Sequence, residues 1–513
     1  LTPNRLKIKY SFFFLGLFVF FAVLAIPTEM PPSAHKLAAV VSLMAIWWVG
    51  EAVPIPVTAL IPIVLFPLLG IMSAKEIAPN YSNHLVFLFF GGFSIALAME
   101  KWGLHKRIAL NIILAVGSNV ERTILGFMLA TGFLSMWISN TATVLMMLPV
   151  AMAVVKELTK GAVAKGIENA EDSSLIESSL GCVLMLGIAY AASIGGISTL
   201  IGTPPNVVLA GLFKNYSQGA VEIPFGQWMV FTLPLSLIFT FSVWIFLCRY
   251  ASDIPLKQIE FKFSRELISE QVEKLGALSR QEKFVAWIFG ATAALWIFRK
   301  PLNVSGWTIP GWSQWFTNPN LIQDSTVAMA MALLLFCVPL SLPGEGVSKG
   351  DKENFALDWK TIEAKMPWGI LILFGGGFAL AAGFGKTGLD QWIGSQLSGI
   401  FELPIWVIIF IVCFSVTFLT ELTSNTATAT MILPILGALS VKGNIDPIYL
   451  MFPAALAASF AFMLPVATPP NAIVFGSGWI TISKMARVGV VVNIIGTIVI
   501  TLFTVFWLPL IFG

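Results

Sequence analysis

Ser139-Asn140-Thr141-Ala142-Thr143 and Ser424-Asn425-Thr426-Ala427-Thr428 are the same five residues, and both are set in apolar sequence. Each is followed by an apolar run and a proline, Pro149 and Pro434. Each is answered downstream by a second polar break, Gly202-Thr203-Pro204-Pro205-Asn206 and Ala467-Thr468-Pro469-Pro470-Asn471. A soluble protein could hold such motifs in surface loops. Here 57% of the residues are hydrophobic and 11% charged, against about 25% charged in an ordinary soluble domain. The flanks are therefore bilayer material. Polar backbone breaks at membrane depth survive only when buried in protein or lining a cavity. Two matched pairs of breaks point to two related halves around one polar centre, the pattern of secondary transporters.

The bilayer, not a single water-excluded core, organises such a chain. Apolar segments recur at 11–27, 37–71, 84–100, 122–158, 178–213, 226–250, 283–299, 325–341, 366–386, 403–421, 424–440, 446–476 and 485–511. The 37–71 stretch reads as two spans broken near Gly50-Glu51-Ala52-Val53-Pro54. The run from Ser11 to Ile26 follows Arg5, Lys7 and Lys9 and reads as a first spanning helix, not a cleaved leader. The stretches carrying the repeated motif read as hairpins that enter and leave on one side. Those carrying Thr-Pro-Pro-Asn read as discontinuous helices, because proline stops the backbone ladder.

The repeat extends beyond the motifs. Phe90-Gly91-Gly92-Phe93 matches Phe374-Gly375-Gly376-Gly377-Phe378, and Gly103-Leu104 matches Gly388-Leu389. The main length difference is a polar insert at 160–176. Spans counted from sequence leave the repeat open as parallel or inverted. Loop charges set the orientation. Lys257, Lys262, Arg265, Lys274 and Arg280 make one connection cytoplasmic, as do Lys349, Lys352, Lys360 and Lys365 for another. Trp307, Trp312 and Trp315 mark the intervening connection as external. The basic N-terminus is cytoplasmic and the C-terminus external, in a plasma (inner) membrane.

The same inventory excludes other classes. A formal charge of +3 without a basic stripe gives no nucleic-acid partner. Cys182, Cys248, Cys337 and Cys413 have no metal-ligand spacing, and His35, His84 and His105 are scattered. No nucleophile–base pair or metal cluster is apparent in the spans, so the chain is not read as an enzyme. The other class to weigh is an anion channel, which would need no sodium. Glu51, before Ala-Val-Pro, reads as a helix-end residue. Glu421 reads as a buried hydrogen-bonding support. His84 and Glu100 fall near interfaces, and the glycine runs permit close helix approach.

The motif residues have a definite chemistry. Asn offers two donors and an acceptor, and Ser and Thr hydroxyls do either. Helix N-termini freed at a hairpin tip favour carboxylates. Freed carbonyls with hydroxyl and amide oxygens favour a hard cation such as Na⁺. No Lys or Arg adjoins either motif. Bound cations and helix ends would then balance a doubly anionic substrate.

Beyond the paired motifs, Glu51-Ala-Val-Pro, Met136-Trp-Ile-Ser-Asn-Thr-Ala-Thr, Ile201-Gly-Thr-Pro-Pro-Asn, Pro367-Trp-Gly, Phe374-Gly-Gly-Gly-Phe-Ala-Leu, Thr423-Ser-Asn-Thr-Ala-Thr and Met463-Leu-Pro-Val-Ala-Thr-Pro-Pro-Asn-Ala-Ile-Val-Phe run in order along nearly the whole chain. In these the chain resembles the divalent anion/sodium symporter family, the sodium-coupled di- and tricarboxylate transporters. The resemblance implies an all-α polytopic membrane protein of about eleven transmembrane helices, with two opposed re-entrant hairpins in an inverted repeat. It implies a homodimer in membrane lipid and an elevator in which a transport part slides against a fixed scaffold. It places the substrate at Asn140, Thr141, Thr203, Asn425, Thr426, Thr468 and Pro469. It places one Na⁺ at Ser135, Ser139, Asn140 and the Gly202 backbone, and another at Thr420, Thr423, Asn425 and the Ala467 backbone. At least two Na⁺ are therefore expected as coupling ions.

Thr426 stands where some citrate-preferring relatives have an apolar residue. The expectation is a sodium-coupled importer of C4-dicarboxylates such as succinate, fumarate and malate. The alternatives are a citrate (tricarboxylate) symporter or a sodium-independent dicarboxylate exchanger. The expected organisation is N-terminal scaffold and the start of the first repeat over 1–120, and its hairpin and discontinuous helix over 121–250. A cytoplasmic connection follows over 251–283, then second-repeat scaffold over 284–400. The second hairpin, discontinuous helix and last helix occupy 401–513.

Overall fold

The computed structural model describes residues 3–117, 119–163, 170–217, 222–252, 256, 264–304, 307–340, 355–396 and 402–512. Lys257, Lys262, Lys349 and Lys352 and much of the polar 160–176 insert lie outside the described residues or have undescribed side chains. The chain folds as a mostly helical multi-pass membrane protein. Eight helices among the described residues are long and apolar enough to cross a bilayer. Several shorter apolar helices complete the set, among them Ile55–Leu68, Asp324–Cys337, Ile405–Thr420 and Ile448–Ala457.

The chain opens with α1 (Pro3–Ala25) packed on α2 (Pro32–Gly50). Glu51 ends α2 as its left-handed C-cap, and Pro54 then precedes α3 (Ile55–Thr58). Left-handed backbone followed by proline is a strong helix stop. The break and the helix-end role read for Glu51 are both observed. Then come α4 (Ile61–Leu68) and α5 (Ala74–Tyr81), the latter started by a Ser73–Glu76 capping box.

The first repeat consists of α6 (His84–Lys101), α7 (Leu104–Val116), α8 (Val120–Ser135), α9 (Asn140–Val163), α10 (Ala170–Gly196), α11 (Pro204–Tyr216) and α12 (Phe225–Phe246). His84 and Glu100 sit at the two ends of α6. Two connecting helices follow, α13 (Ser264–Lys274) and α14 (Arg280–Ile297). A short antiparallel pair, β1 (Leu302–Val304) and β2 (Trp307–Ile309), adds a hairpin to the expected all-α architecture. Three-residue strands are too short for a period-two hydrophobic pattern to announce them. Trp307 and Trp315 are strongly exposed here, while Trp312 donates from Nε1 to the Leu295 carbonyl at 2.8 Å.

Then follow α15 (Asp324–Cys337), α16 (Trp359–Lys365) and the second repeat: α17 (Trp368–Thr387), α18 (Leu389–Gln396), α19 (Ile405–Thr420), α20 (Asn425–Lys442), α21 (Ile448–Ala457), α22 (Pro469–Phe475) and α23 (Ile482–Leu502). The chain closes with α24 (Leu508–Phe512). The order from α6 to α12 is repeated from α17 to α23. Gly103 and Gly388, with φ of +74° and +72°, make the same left-handed turn at equivalent places, before α7 and after α17. That conformation costs a side chain about 1–2 kcal/mol.

The two repeats interlock. The helix leaving the first hairpin, α9, packs on α22, and its counterpart α20 packs on α11. Tyr190 on α10 donates its hydroxyl to the Phe462 carbonyl at 2.8 Å, in the second repeat's break. Elsewhere, buried Arg299 pairs with Asp324 and donates to the Ile322 carbonyl at 2.7 Å. Asp324 also accepts from the Phe225 amide at 3.2 Å. A buried ion pair with its remaining valences filled in this way fixes the ends of α12, α14 and α15 together.

Candidate functional site

Both hairpins turn by the same construction. In the first, Ser135 ends α8 and Asn140 begins α9. In the second, Thr420 ends α19 and Asn425 begins α20. The Ser135 hydroxyl lies 2.5 Å from Asn140 Oδ1 and 2.7 Å from the Ala192 carbonyl oxygen. The Thr420 hydroxyl lies 2.8 Å from Asn425 Oδ1 and 2.9 Å from the Ala458 carbonyl oxygen. A hydroxyl has one proton and both neighbours are acceptors. Each cluster therefore holds three oxygens and one shared proton, an electron-rich setting that a hard cation complements. Ser135 and Thr420 are fully buried.

The discontinuous helices meet these tips. Between α10 and α11 the backbone breaks over 197–203, and between α21 and α22 over 458–468. Thr203 (φ −145°, ψ 143°) and Thr468 (φ −142°, ψ 150°) are the extended residues that begin the second half-helices. A following proline forces that extension, and prolines in the first turn lose amides that a helix start leaves unpaired anyway. Gly202 is pressed against the first tip. A Cβ there would come within 2.3 Å of the Gly196 carbonyl oxygen and 3.0 Å of the Ser135 carbonyl oxygen. Gly196 in turn faces Asn140 Oδ1, 2.8 Å from where its Cβ would be. Ser135, Asn140 and Gly202 are thus in one place.

Ser139 accepts from the Ala142 amide at 3.3 Å and so caps its own helix. Thr141 is half-buried beside it. In the second hairpin, Thr423 is turned back into its own structure, donating to the Leu419 carbonyl at 3.1 Å and pairing with the Thr428 hydroxyl. Thr426 is buried, and its carbonyl accepts from the Thr430 hydroxyl at 2.8 Å. Ala467 closes the second break just ahead of Thr468, whose hydroxyl accepts from the Asn471 amide at 3.3 Å. Pro469, the first residue of α22, is exposed.

The two breaks are braced differently. Glu421 is buried and accepts from the amides of Phe462, Met463 and Leu464 at 2.6, 2.9 and 3.2 Å, and from Asn493 Nδ2 at 2.8 Å. It is the hydrogen-bonding support read from the sequence. In the first repeat neutral donors on α12 do the bracing. Trp228, Thr232 and Ser236 reach the carbonyls of Ile197, Ser198 and Ile194 at 2.9, 3.0 and 3.0 Å. Sequence reading missed this group and Asn493. The signal was present, as polar residues at helical spacing in α12 and one Asn in apolar α23. Among the described residues no group of three or more His, Cys, Asp or Glu forms a metal cluster. Oxygen from hydroxyls, amides and backbone is what this site offers.

Residues 7–512 match the family model described as the sodium:sulfate symporter transmembrane region. A sodium-dependent dicarboxylate transporter, SdcS, of Staphylococcus saprophyticus is 42% identical over 497 residues, covering 97% of this chain and 90% of the relative. Its namesake in Staphylococcus aureus is 40% identical over 487 residues, covering 95% and 88%. Among solved structures, the Alcanivorax borkumensis YdaH transporter aligns with a TM-score of 0.51 at 11% identity, over 84% of this chain and 87% of that one. Neisseria gonorrhoeae MtrF aligns with a TM-score of 0.51 at 12% identity, over 95% and 97%. At such identities these two likenesses speak to the fold alone.

Proposed function

Because this chain belongs to the divalent anion:sodium symporter family, we propose that it is a sodium-coupled secondary transporter importing the C4-dicarboxylates succinate, fumarate and malate by an elevator mechanism. The observation that carries the proposal is the hydroxyl–amide–carbonyl cluster built twice, at Ser135–Asn140–Ala192 and Thr420–Asn425–Ala458. Its supporting context is the two relatives named as sodium-dependent dicarboxylate transporters.

In this reading Ser135, Ser139, Asn140 and the Gly202 carbonyl hold one Na⁺. Thr420, Thr423, Asn425 and the Ala467 carbonyl hold a second. Asn140, Thr141, Thr203, Asn425, Thr426, Thr468 and Pro469 receive the substrate. Helices α9, α11, α20 and α22 begin at these residues, and their N-terminal dipoles favour carboxylates. Two Na⁺ then offset a dianion without a fixed basic side chain. Each Asn serves cation through Oδ1 and anion through Nδ2, so binding one raises affinity for the other. That mutual dependence is the coupling.

Counted as crossings, α1, α2, α3–α4, α6, α10–α11, α12, α14, α15, α17, α21–α22 and α23 make eleven, with α8–α9 and α19–α20 as re-entrant hairpins. The repeats start at the fourth and ninth crossings, which run in opposite directions, so the repeat is inverted. The N-terminus is cytoplasmic and the C-terminus external, in the plasma membrane. The carrier works as a homodimer whose scaffold stays fixed. The seam where Trp137 of the first tip and Ile201 of the neighbouring break meet Gly92, Ile95, Phe289 and Trp296 is apolar. Sliding along it breaks few hydrogen bonds.

The test is uptake of labelled succinate into reconstituted vesicles, with an inward Na⁺ gradient compared against K⁺. Excess unlabelled fumarate, malate or citrate is added in parallel. Na⁺-dependent uptake suppressed by fumarate and malate, and weakly by citrate, supports the proposal. Equal uptake in Na⁺ and K⁺ refutes the symport, and stronger competition by citrate makes the substrate a tricarboxylate.

A further inference from the structure

Asn206 and Asn471 end the two Thr-Pro-Pro-Asn breaks, and neither belongs to the substrate or cation sets above. Both are completely buried. Asn206 donates from Nδ2 to the Thr199 carbonyl at 2.7 Å and the Gly196 carbonyl at 3.2 Å, with the Ile197 carbonyl at 3.5 Å. Asn471 donates from Nδ2 to the carbonyls of Ala461 at 3.0 Å and Leu464 at 3.1 Å. These carbonyls belong to the broken backbone, where the helix ladder no longer supplies amides. One side-chain amide in each repeat gathers them, beside the Gly202 and Ala467 amides that reach the Thr199 and Leu464 carbonyls at 3.4 and 3.2 Å.

The amide orientation is fixed by this arrangement. Turned over, Oδ1 would face the carbonyl oxygens and repel them. As it stands, Oδ1 of each residue is buried with no hydrogen-bond donor. An apolar residue of the same size would avoid that orphaned acceptor, yet both repeats keep it at equivalent positions. In the first repeat the carbonyls so gathered adjoin the oxygen cluster. The Gly196 oxygen held by Asn206 is the one against which Gly202 is set, and Gly196 also faces Asn140 Oδ1. In the second repeat, the Ala461 and Leu464 carbonyls held by Asn471 flank the amides taken by Glu421. Donors and acceptors of that break are then both immobilised ahead of Ala467.

We propose that Asn206 and Asn471 are positioning residues of the two cation sites, their amide Nδ2 groups setting where the break carbonyls stand relative to Asn140 and Asn425. This rests on the Na⁺ reading of those clusters. The donor, not the side-chain volume, is what matters, so Asn206→Asp and Asn471→Asp should behave like Asn206→Ala and Asn471→Ala. Each of the four variants should raise the Na⁺ concentration for half-maximal succinate uptake about tenfold, the scale of one lost charge-linked hydrogen bond. Succinate KM measured at saturating Na⁺ should change much less. A role in packing alone would lower the amount of carrier and the maximal rate at an unchanged Na⁺ half-saturation.

Reconstituted vesicles with Na⁺ replaced by choline at constant ionic strength give both quantities. A wild-type-like Na⁺ half-saturation in the Asp variants overturns the inference. So does failure of both the Asp and Ala variants to insert, since that makes the residues determinants of folding. Na⁺-independent uptake by the unaltered protein would instead overturn the underlying cation reading.

Discussion

Removing a single hydroxyl from each oxygen cluster separates a binding site from a packing contact. Ser135→Ala deletes the oxygen that lies 2.5 Å from Asn140 Oδ1 and 2.7 Å from the Ala192 carbonyl. Thr420→Val deletes its counterpart, 2.8 and 2.9 Å from Asn425 Oδ1 and the Ala458 carbonyl, with little change of shape. If these are neutral packing hydrogen bonds, each is worth about 0.5–1.5 kcal/mol of fold stability and nothing in ion affinity. If the oxygen serves a bound charge, its loss costs about 1.5–3 kcal/mol. At about 1.4 kcal/mol per decade, that is roughly a ten- to hundredfold rise in the Na⁺ needed for half-maximal uptake. The assay is labelled succinate uptake into vesicles across a Na⁺ series, with choline holding ionic strength. The double variant should lose saturable Na⁺ dependence altogether. Single variants that insert normally and keep the wild-type Na⁺ curve would make that cluster a packing contact.

Further outcomes follow from the same geometry. Asn140→Ala and Asn425→Ala should each abolish uptake while leaving the carrier in the membrane, and near-normal rates in both would make these residues helix glue. Thr426→Val should weaken succinate more than citrate in paired uptake measurements, and an unchanged ratio would remove the reason for preferring C4 acids. Glu421→Gln puts an amide among the Phe462, Met463 and Leu464 amides. It should reduce uptake by about tenfold or more through the charge-assisted bonds lost, and full activity would show that the second break does not depend on that carboxylate.

The large-scale architecture was legible because bilayer insertion writes it into local sequence. Apolar runs of spanning length, the Gly50-Glu51 stop and the proline-marked half-helix starts all depend on neighbours in the chain. The hairpin tips were legible because the motif occurs twice, and coincidence rarely repeats five residues with a matching downstream partner. Ala192 and Ala458 were not legible. Their contribution is a backbone oxygen, which no side-chain identity announces, brought in across 57 and 38 residues. The reach of Tyr190 to the Phe462 carbonyl is hidden for the same reason. The bracing residues Trp228, Thr232 and Ser236 were half visible. Their spacing marks one helix face, but only the fold shows which carbonyls that face meets. Thr423 shows the limit of motif transfer. Its hydroxyl is engaged with Leu419 and Thr428, which leaves at most a remaining lone pair for the second cluster, a constraint the motif does not announce.

Symport requires that cation and dicarboxylate bind together and cross together. Reversing the driving force tests it most directly. Vesicles with equal Na⁺ on both sides receive an inward succinate gradient, with the membrane potential clamped at zero, and labelled Na⁺ is followed. Labelled Na⁺ should accumulate transiently above its equilibrium level, and Ser135→Ala combined with Thr420→Val should eliminate the overshoot. Succinate entry with no Na⁺ accumulation would contradict it, because Na⁺ would then assist binding without being carried.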